Sequence, residues 1–97
     1  MTDVDEIKRA LLRHKAELRR RFKVKTIGVF GSYVRGEQKR GSDVDILVEF
    51  GEPVGLFEFM DLEDCLSELL GVKVDLVSKK ALKPHIGEHI LQEVIMI

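Results

Sequence analysis

Residues 43–50 read Asp-Val-Asp-Ile-Leu-Val-Glu-Phe. Branched and aromatic side chains recur there with a period of two, the pattern of a strand. Val44, Ile46, Val48 and Phe50 fall on one face, which would pack against helices. Asp43, Asp45, Leu47 and Glu49 fall on the other. The two aspartates then point the same way, with Cα atoms about 6.6 Å apart. Like charges so placed repel, and both ionise readily only if a cation stands between them. This strand therefore demands a positive partner.

The rest of the chain surrounds that strand with regular elements. Residues 3–22 predict an amphipathic helix, with Val4, Ile7, Leu11, Leu18 and Phe22 at helical spacing and Asp3, Asp5 and Glu6 at its positive N-terminus. Residues 24–30 predict a strand that ends at Gly31. Ser32 to Arg35 predicts a short helix stopped by Gly36, and residues 37–42 a polar loop. After a turn over 51–55, Leu56 to Leu70 predicts a helix with Leu56, Phe59, Met60, Leu66, Leu69 and Leu70 inward and Gly71 as its C-cap. Residues 72–77 predict a third strand carrying a lone acid, Asp75. Pro84 opens a last helix running to about Val94. The order α-β-α-β-α-β-α predicts an α/β fold, a small sheet covered by helices, as one domain over residues 1–97.

Composition narrows the function classes. With 44% hydrophobic residues the chain can form a core, and a short chain keeps that core modest. Residues 1–25 carry a charge balance of +5 and residues 37–75 one of −8. The basic arm reads as a solvated helix face, and the acidic middle argues against direct binding of nucleic acid. A single cysteine, Cys65, excludes an intramolecular disulfide and lies in a helical apolar pattern, as a buried thiol does. No signal peptide and no apolar run near eighteen residues is present, so no membrane association and a cytoplasmic location are expected.

Asp43, Asp45 and Asp75 can converge if the third strand lies beside the second. Hard oxygen ligands suit Mg²⁺, which binds one or two carboxylates together with waters and substrate phosphates. His85 and His89 share a helix face, but no further soft ligand is spaced to complete a zinc site. Gly31-Ser32 sits at a strand-to-helix turn, where free N–H groups seat a phosphate. Arg35, one turn on, can offer a guanidinium fork to the same group. A phosphate seat followed by paired acids points to Mg²⁺ carrying a nucleoside triphosphate.

Gly31-Ser32, ten residues, then Asp43-Val44-Asp45 matches G-S-x(10)-D-x-D, the signature of the DNA polymerase beta-like nucleotidyltransferase superfamily. The stretch from Gly31 through Val48, the strand V-K-V-D-L-V and the ending A-L-K-P-H-I-G-E-H-I-L-Q-E resemble the minimal nucleotidyltransferases of the MntA type. The resemblance covers nearly the whole chain. It implies two Mg²⁺ ions held by Asp43, Asp45 and Asp75, and a triphosphate held at Gly31 and Ser32. It also implies a HEPN-type helical toxin as partner, with AMP moved from ATP to a tyrosine of that toxin and the chain acting as antitoxin. The other reading is a non-catalytic binding module that neutralises a helical partner by complex formation. A D-x-D sugar transferase would need a larger domain, and a D-x-D phosphatase wants a hydroxyl residue where Leu47 stands. The apolar ending Ile90, Leu91 and Val94 to Ile97 either packs on the chain's own sheet or docks the partner.

Overall fold

A computed structural model describes residues 2–97. Helix α1 spans Val4–Phe22 and begins where the Asp3 carboxylate accepts the Glu6 amide at 2.9 Å. That N-cap satisfies one of the first-turn donors, so the helix starts one residue later than the acidic cluster alone suggests. Its basic last turn, Arg19 to Arg21, is exposed, and the helix ends at Lys23 in the left-handed region, φ 60°. Ile7, Leu11 and Leu18 form its buried stripe.

The strands are β1 (Val24–Phe30), β2 (Val44–Phe50), β3 (Val74–Ser78) and β4 (Ile95–Met96). They form one mixed sheet in the order β3-β2-β1-β4. Strand β2 runs antiparallel to β1 and parallel to β3. The α3 helix, Leu56–Leu70, supplies the crossover that a parallel pair needs. Ile27, Val29, Val44, Ile46, Val48, Leu62 and Leu66 are buried together with the α1 stripe in one core. The expected apolar face of β2 is thus the core face.

Two details of α3 differ from the periodicity reading. Leu56 and Met60, expected inward, are 70% and 48% exposed, while Leu62 is fully buried. The buried stripe is set by Phe59, Leu62, Leu66 and Leu69, which leaves Leu56 and Met60 in solvent. Phe59 meets Phe50 edge-on, with ring centroids 6.3 Å apart. Cys65 is half-buried on this helix.

Helix α3 also protects the sheet edge. The Ser67 hydroxyl accepts the Val74 amide at 3.0 Å, and the Glu63 carboxylate accepts the Leu76 amide at 2.9 Å. These outward amides of β3 would otherwise be open to another strand. They hold β3 in the register that carries Asp75, over residues 74–78 rather than 72–77.

The chain ends in a strand, not in a prolonged helix. Helix α4, Pro84–Glu93, stops before Val94, and Met96 and Ile95 pair antiparallel with Gly28 and Val29. The Ile97 amide donates to the Ile27 carbonyl at 2.9 Å, and Lys15 donates to the Ile97 carbonyl at 2.8 Å. A Cβ at Gly28 would stand 2.7 Å from Val94 Cγ2 and 2.9 Å from Met96 Sδ, so the glycine lets the tail lie flat on β1. The tail is an edge strand of this sheet, so the apolar ending does pack on the chain's own sheet. Removing residues 94–97 is expected to lower stability by about 2–4 kcal/mol, the contribution of two half-buried isoleucines and a ladder. Chemical denaturation of the shortened chain measures this. An unchanged midpoint would show that β4 adds nothing.

Candidate active site

The acids are placed by strand register. Asp45 is opposite Asp75 in the parallel β2–β3 pair, so their side chains leave the sheet on the same face from adjacent strands. Asp43 stands two residues before Asp45, just ahead of β2, and is half-buried. Asp75 is exposed and Asp45 half-buried. All three sequence-expected acids therefore line one face at the start of β2 and β3.

Beside them β1 gives way to helix α2, Ser32–Arg35. The β1–β2 ladder closes at Phe30 opposite Asp45, and the next residue, Gly31, has φ +83°. A Cβ there would lie 2.0 Å from Asp45 Oδ2. Glycine is required twice over, for the backbone conformation and for the space Asp45 fills. The Gly31 carbonyl accepts the amides of Val34 and Arg35 at 3.0 and 3.2 Å. The amides of Ser32 and Tyr33 open the helix, where no intrahelical acceptor exists. Buried Tyr33 donates to the Ser42 carbonyl at 3.4 Å, tying α2 to the loop that leads into Asp43. The Lys39–Ser42 turn is closed by Ser42 accepting the Lys39 amide at 2.9 Å.

The electrostatics answer the demand for a cation. Burial pushes the Asp45 carboxyl above its ordinary value, and the neighbouring charges of Asp75 and Asp43 push it further the same way. Arg35 opposes this, but its guanidinium is engaged by Glu37 and Glu93. Among the described residues no three His, Cys, Asp or Glu side chains are already gathered at metal-holding distance. The all-oxygen chemistry of the three acids and the unmet charge at Asp45 fit a divalent hard cation.

Glu93 is a site residue that the sequence reading missed. From the end of α4 its carboxylate accepts the Gly31 amide at 3.1 Å and also pairs with Arg35. Burial raises its pKa, but the hydrogen bonds from Arg35 and the Gly31 amide outweigh this and hold it below the ordinary glutamate range. Nothing local marks Glu93, since it is one polar residue at the end of an amphipathic helix. A cavity of about 640 Å³, lined in part by Phe50, Pro53, Leu56, Phe59 and Lys79, opens at the far end of β2. It stands about 16 Å along the strand from Asp45, so the candidate site is not that cavity.

Comparison with known proteins identifies the family. Residues 11–97 match the nucleotidyltransferase domain family. The chain is 54% identical over 97 residues to the protein adenylyltransferase MntA of Thermococcus cleftensis, covering 100% of this chain and 98% of that one. A solved minimal nucleotidyltransferase superposes with a TM-score of 0.76 at 38% identity, covering 97% of this chain and 95% of that one. A toxin–antitoxin structure with AMP-PNP superposes with a TM-score of 0.70 at 25% identity, covering 95% of this chain and 69% of that one. With its G-S turn packed against the D-x-D strand, this chain belongs to the nucleotidyltransferase family and is a minimal nucleotidyltransferase of the MntA protein-adenylyltransferase type.

Proposed function

We propose that the chain, as one domain over residues 1–97, transfers AMP from ATP to a hydroxyl of a protein acceptor, a tyrosine of a HEPN-type helical toxin, and so acts as an antitoxin. The observation that carries this is the placement of Asp43, Asp45 and Asp75 on one face beside the Gly31-Ser32 turn. The adenylyltransferase relative and the toxin–antitoxin structure with AMP-PNP support the donor and the partner class.

Asp43, Asp45 and Asp75 would hold Mg²⁺, two ions by the resemblance to the family. When bound, Mg²⁺ supplies positive charge at the α-phosphate and at the departing pyrophosphate. The chain's own groups do the rest. The Ser32 hydroxyl and the first-turn amides of α2 bind the triphosphate, with Arg35 beside them. That grip sets the α-phosphorus in line with the acceptor oxygen. The oxygen attacks phosphorus, the bond to the bridging oxygen breaks and pyrophosphate leaves. Asp75, the exposed acid of the three, takes the acceptor proton.

Incubation with α-labelled ATP, Mg²⁺ and a HEPN-type partner is expected to move label onto the partner. Asp75→Asn is expected to cut that transfer by at least about a hundredfold, the usual scale for a lost proton acceptor. Its exposed side chain should leave the melting temperature near that of the wild type. Unlabelled partner under these conditions, with growth still rescued by an Asp43→Asn/Asp45→Asn chain, would instead establish the non-catalytic binding module.

A further inference from the structure

Glu93 takes part in no step of the reaction above, yet it is better placed than a chance surface acid. Its side chain is 18% exposed, and it meets Gly31 from 62 residues away. The Gly31 amide lies one residue beyond the last β1–β2 pair, so the ladder offers it no acceptor. Glu93 Oε2 supplies one. Glu93 Oε1 takes an Arg35 donor, while Glu37 takes another. The carboxylate is itself held on both sides of the chain. Helix α4 precedes it, and beyond Val94 strand β4 is laddered to β1.

We propose that Glu93 is a positioning residue, a strut that fixes the Gly31 turn and the Arg35 side chain in the arrangement that receives a nucleotide's phosphates. The inference rests on the nucleotidyl-transfer reading and adds to it a residue outside the G-S and D-x-D motifs. Glu93 takes the amide that precedes α2 and leaves the first-turn amides of Ser32 and Tyr33 to a ligand. It also orders a long arginine side chain in advance. A side chain already ordered loses less freedom when the ligand arrives. A guanidinium with two donors committed keeps others for phosphate, in a fixed plane.

The test is calorimetric titration of the full chain with AMP-PNP in excess Mg²⁺, for wild type, Glu93→Ala, Glu93→Gln, Arg35→Ala and the Glu93→Ala/Arg35→Ala double variant. Glu93→Ala is expected to weaken binding by about tenfold or more, as loss of a charge-assisted pair does. Glu93→Gln keeps an oxygen for the Gly31 amide and is expected to recover part of that loss. The double variant should lose less than the product of the two single losses, because the pair acts as a unit. In the nucleotide-free protein, the Gly31 amide should exchange with solvent faster in Glu93→Ala than in wild type.

Unchanged affinity in both Glu93 variants would overturn the proposal. Tighter binding would also overturn it, and would show that the carboxylate competes with phosphate for its donors. Should Glu93→Ala fail to fold, Glu93→Gln decides by the same criteria. Failure of the wild type to bind AMP-PNP would sink the nucleotidyl-transfer reading and this strut with it. A null difference among variants of a binding-competent wild type sinks the strut alone.

Discussion

Asp45→Asn is expected to raise the melting temperature of the Mg²⁺-free protein while cutting AMP transfer by at least about a hundredfold. Asp45 is half-buried on β2, opposite Asp75 and two residues from Asp43. Burial first, then those two carboxylates, push its pKa above the ordinary aspartate value of 3.8. A carboxyl whose folded pKa is raised stabilises the fold while it is protonated. That contribution is fully present below the unfolded value and is lost as pH rises through the raised folded value. At neutral pH the wild type therefore keeps a charge that opposes folding, and the neutral amide removes it. The advantage of the variant should shrink as pH falls and vanish well below 3.8, where Asp45 is protonated in both folded and unfolded chains. Saturating Mg²⁺ should reverse the order, because a ligand stabilises only the chain that binds it. Melting curves over a pH series, with chelator and with Mg²⁺, test each part. A variant that melts below wild type at neutral pH without Mg²⁺ would show that Asp45 is a structural hydrogen-bonding group instead.

Gly31→Ala is expected to lower stability by about 2–4 kcal/mol, and to reduce nucleotide binding to near the limit of detection. Two costs coincide at this position. At φ +83° an L side chain is strained. The added Cβ would also stand 2.0 Å from Asp45 Oδ2, so the carboxylate must leave its place. Gly36→Ala separates the two. Gly36 has φ +71°, but a Cβ there meets nothing within 4 Å. It should lose about 1 kcal/mol by conformation alone and bind nucleotide much as wild type does. Denaturation midpoints and AMP-PNP titrations of both variants give the comparison. Equal binding losses would mean that the turn needs glycine for its backbone and that the Asp45 contact is incidental.

These two residues also show what could be read before folding. The period-two pattern over 43–50 is local, so it alone put Asp43 and Asp45 on one face and Val44, Ile46 and Val48 in the core. The Gly31 turn and the short helix after it were legible for the same reason: a glycine after a strand and one turn of chain carry their own conformational preference. Helix α3 was legible as an element, but its buried face was not. Leu62 turns inward while Leu56 and Met60 stay exposed, a choice made by tertiary packing and not by the helical period.

The amino-acid sequence by itself determined the alternation of helices and strands, the acid pair and the turn that precedes it, because each rests on contacts within a few residues. Only the tertiary structure decided that Asp75 stands beside Asp45, since that follows from the β2–β3 register held by Glu63 and Ser67 of α3. Strand β4 has two residues, too few to show any period, and exists through its ladder to Gly28 and Val29. Glu93 reaches Gly31 because α4 ends where β4 must begin, across 62 residues of chain. Long-range partners of this kind leave no local mark, because the free energy that selects them resides in packing and hydrogen bonds formed only once the sheet has closed.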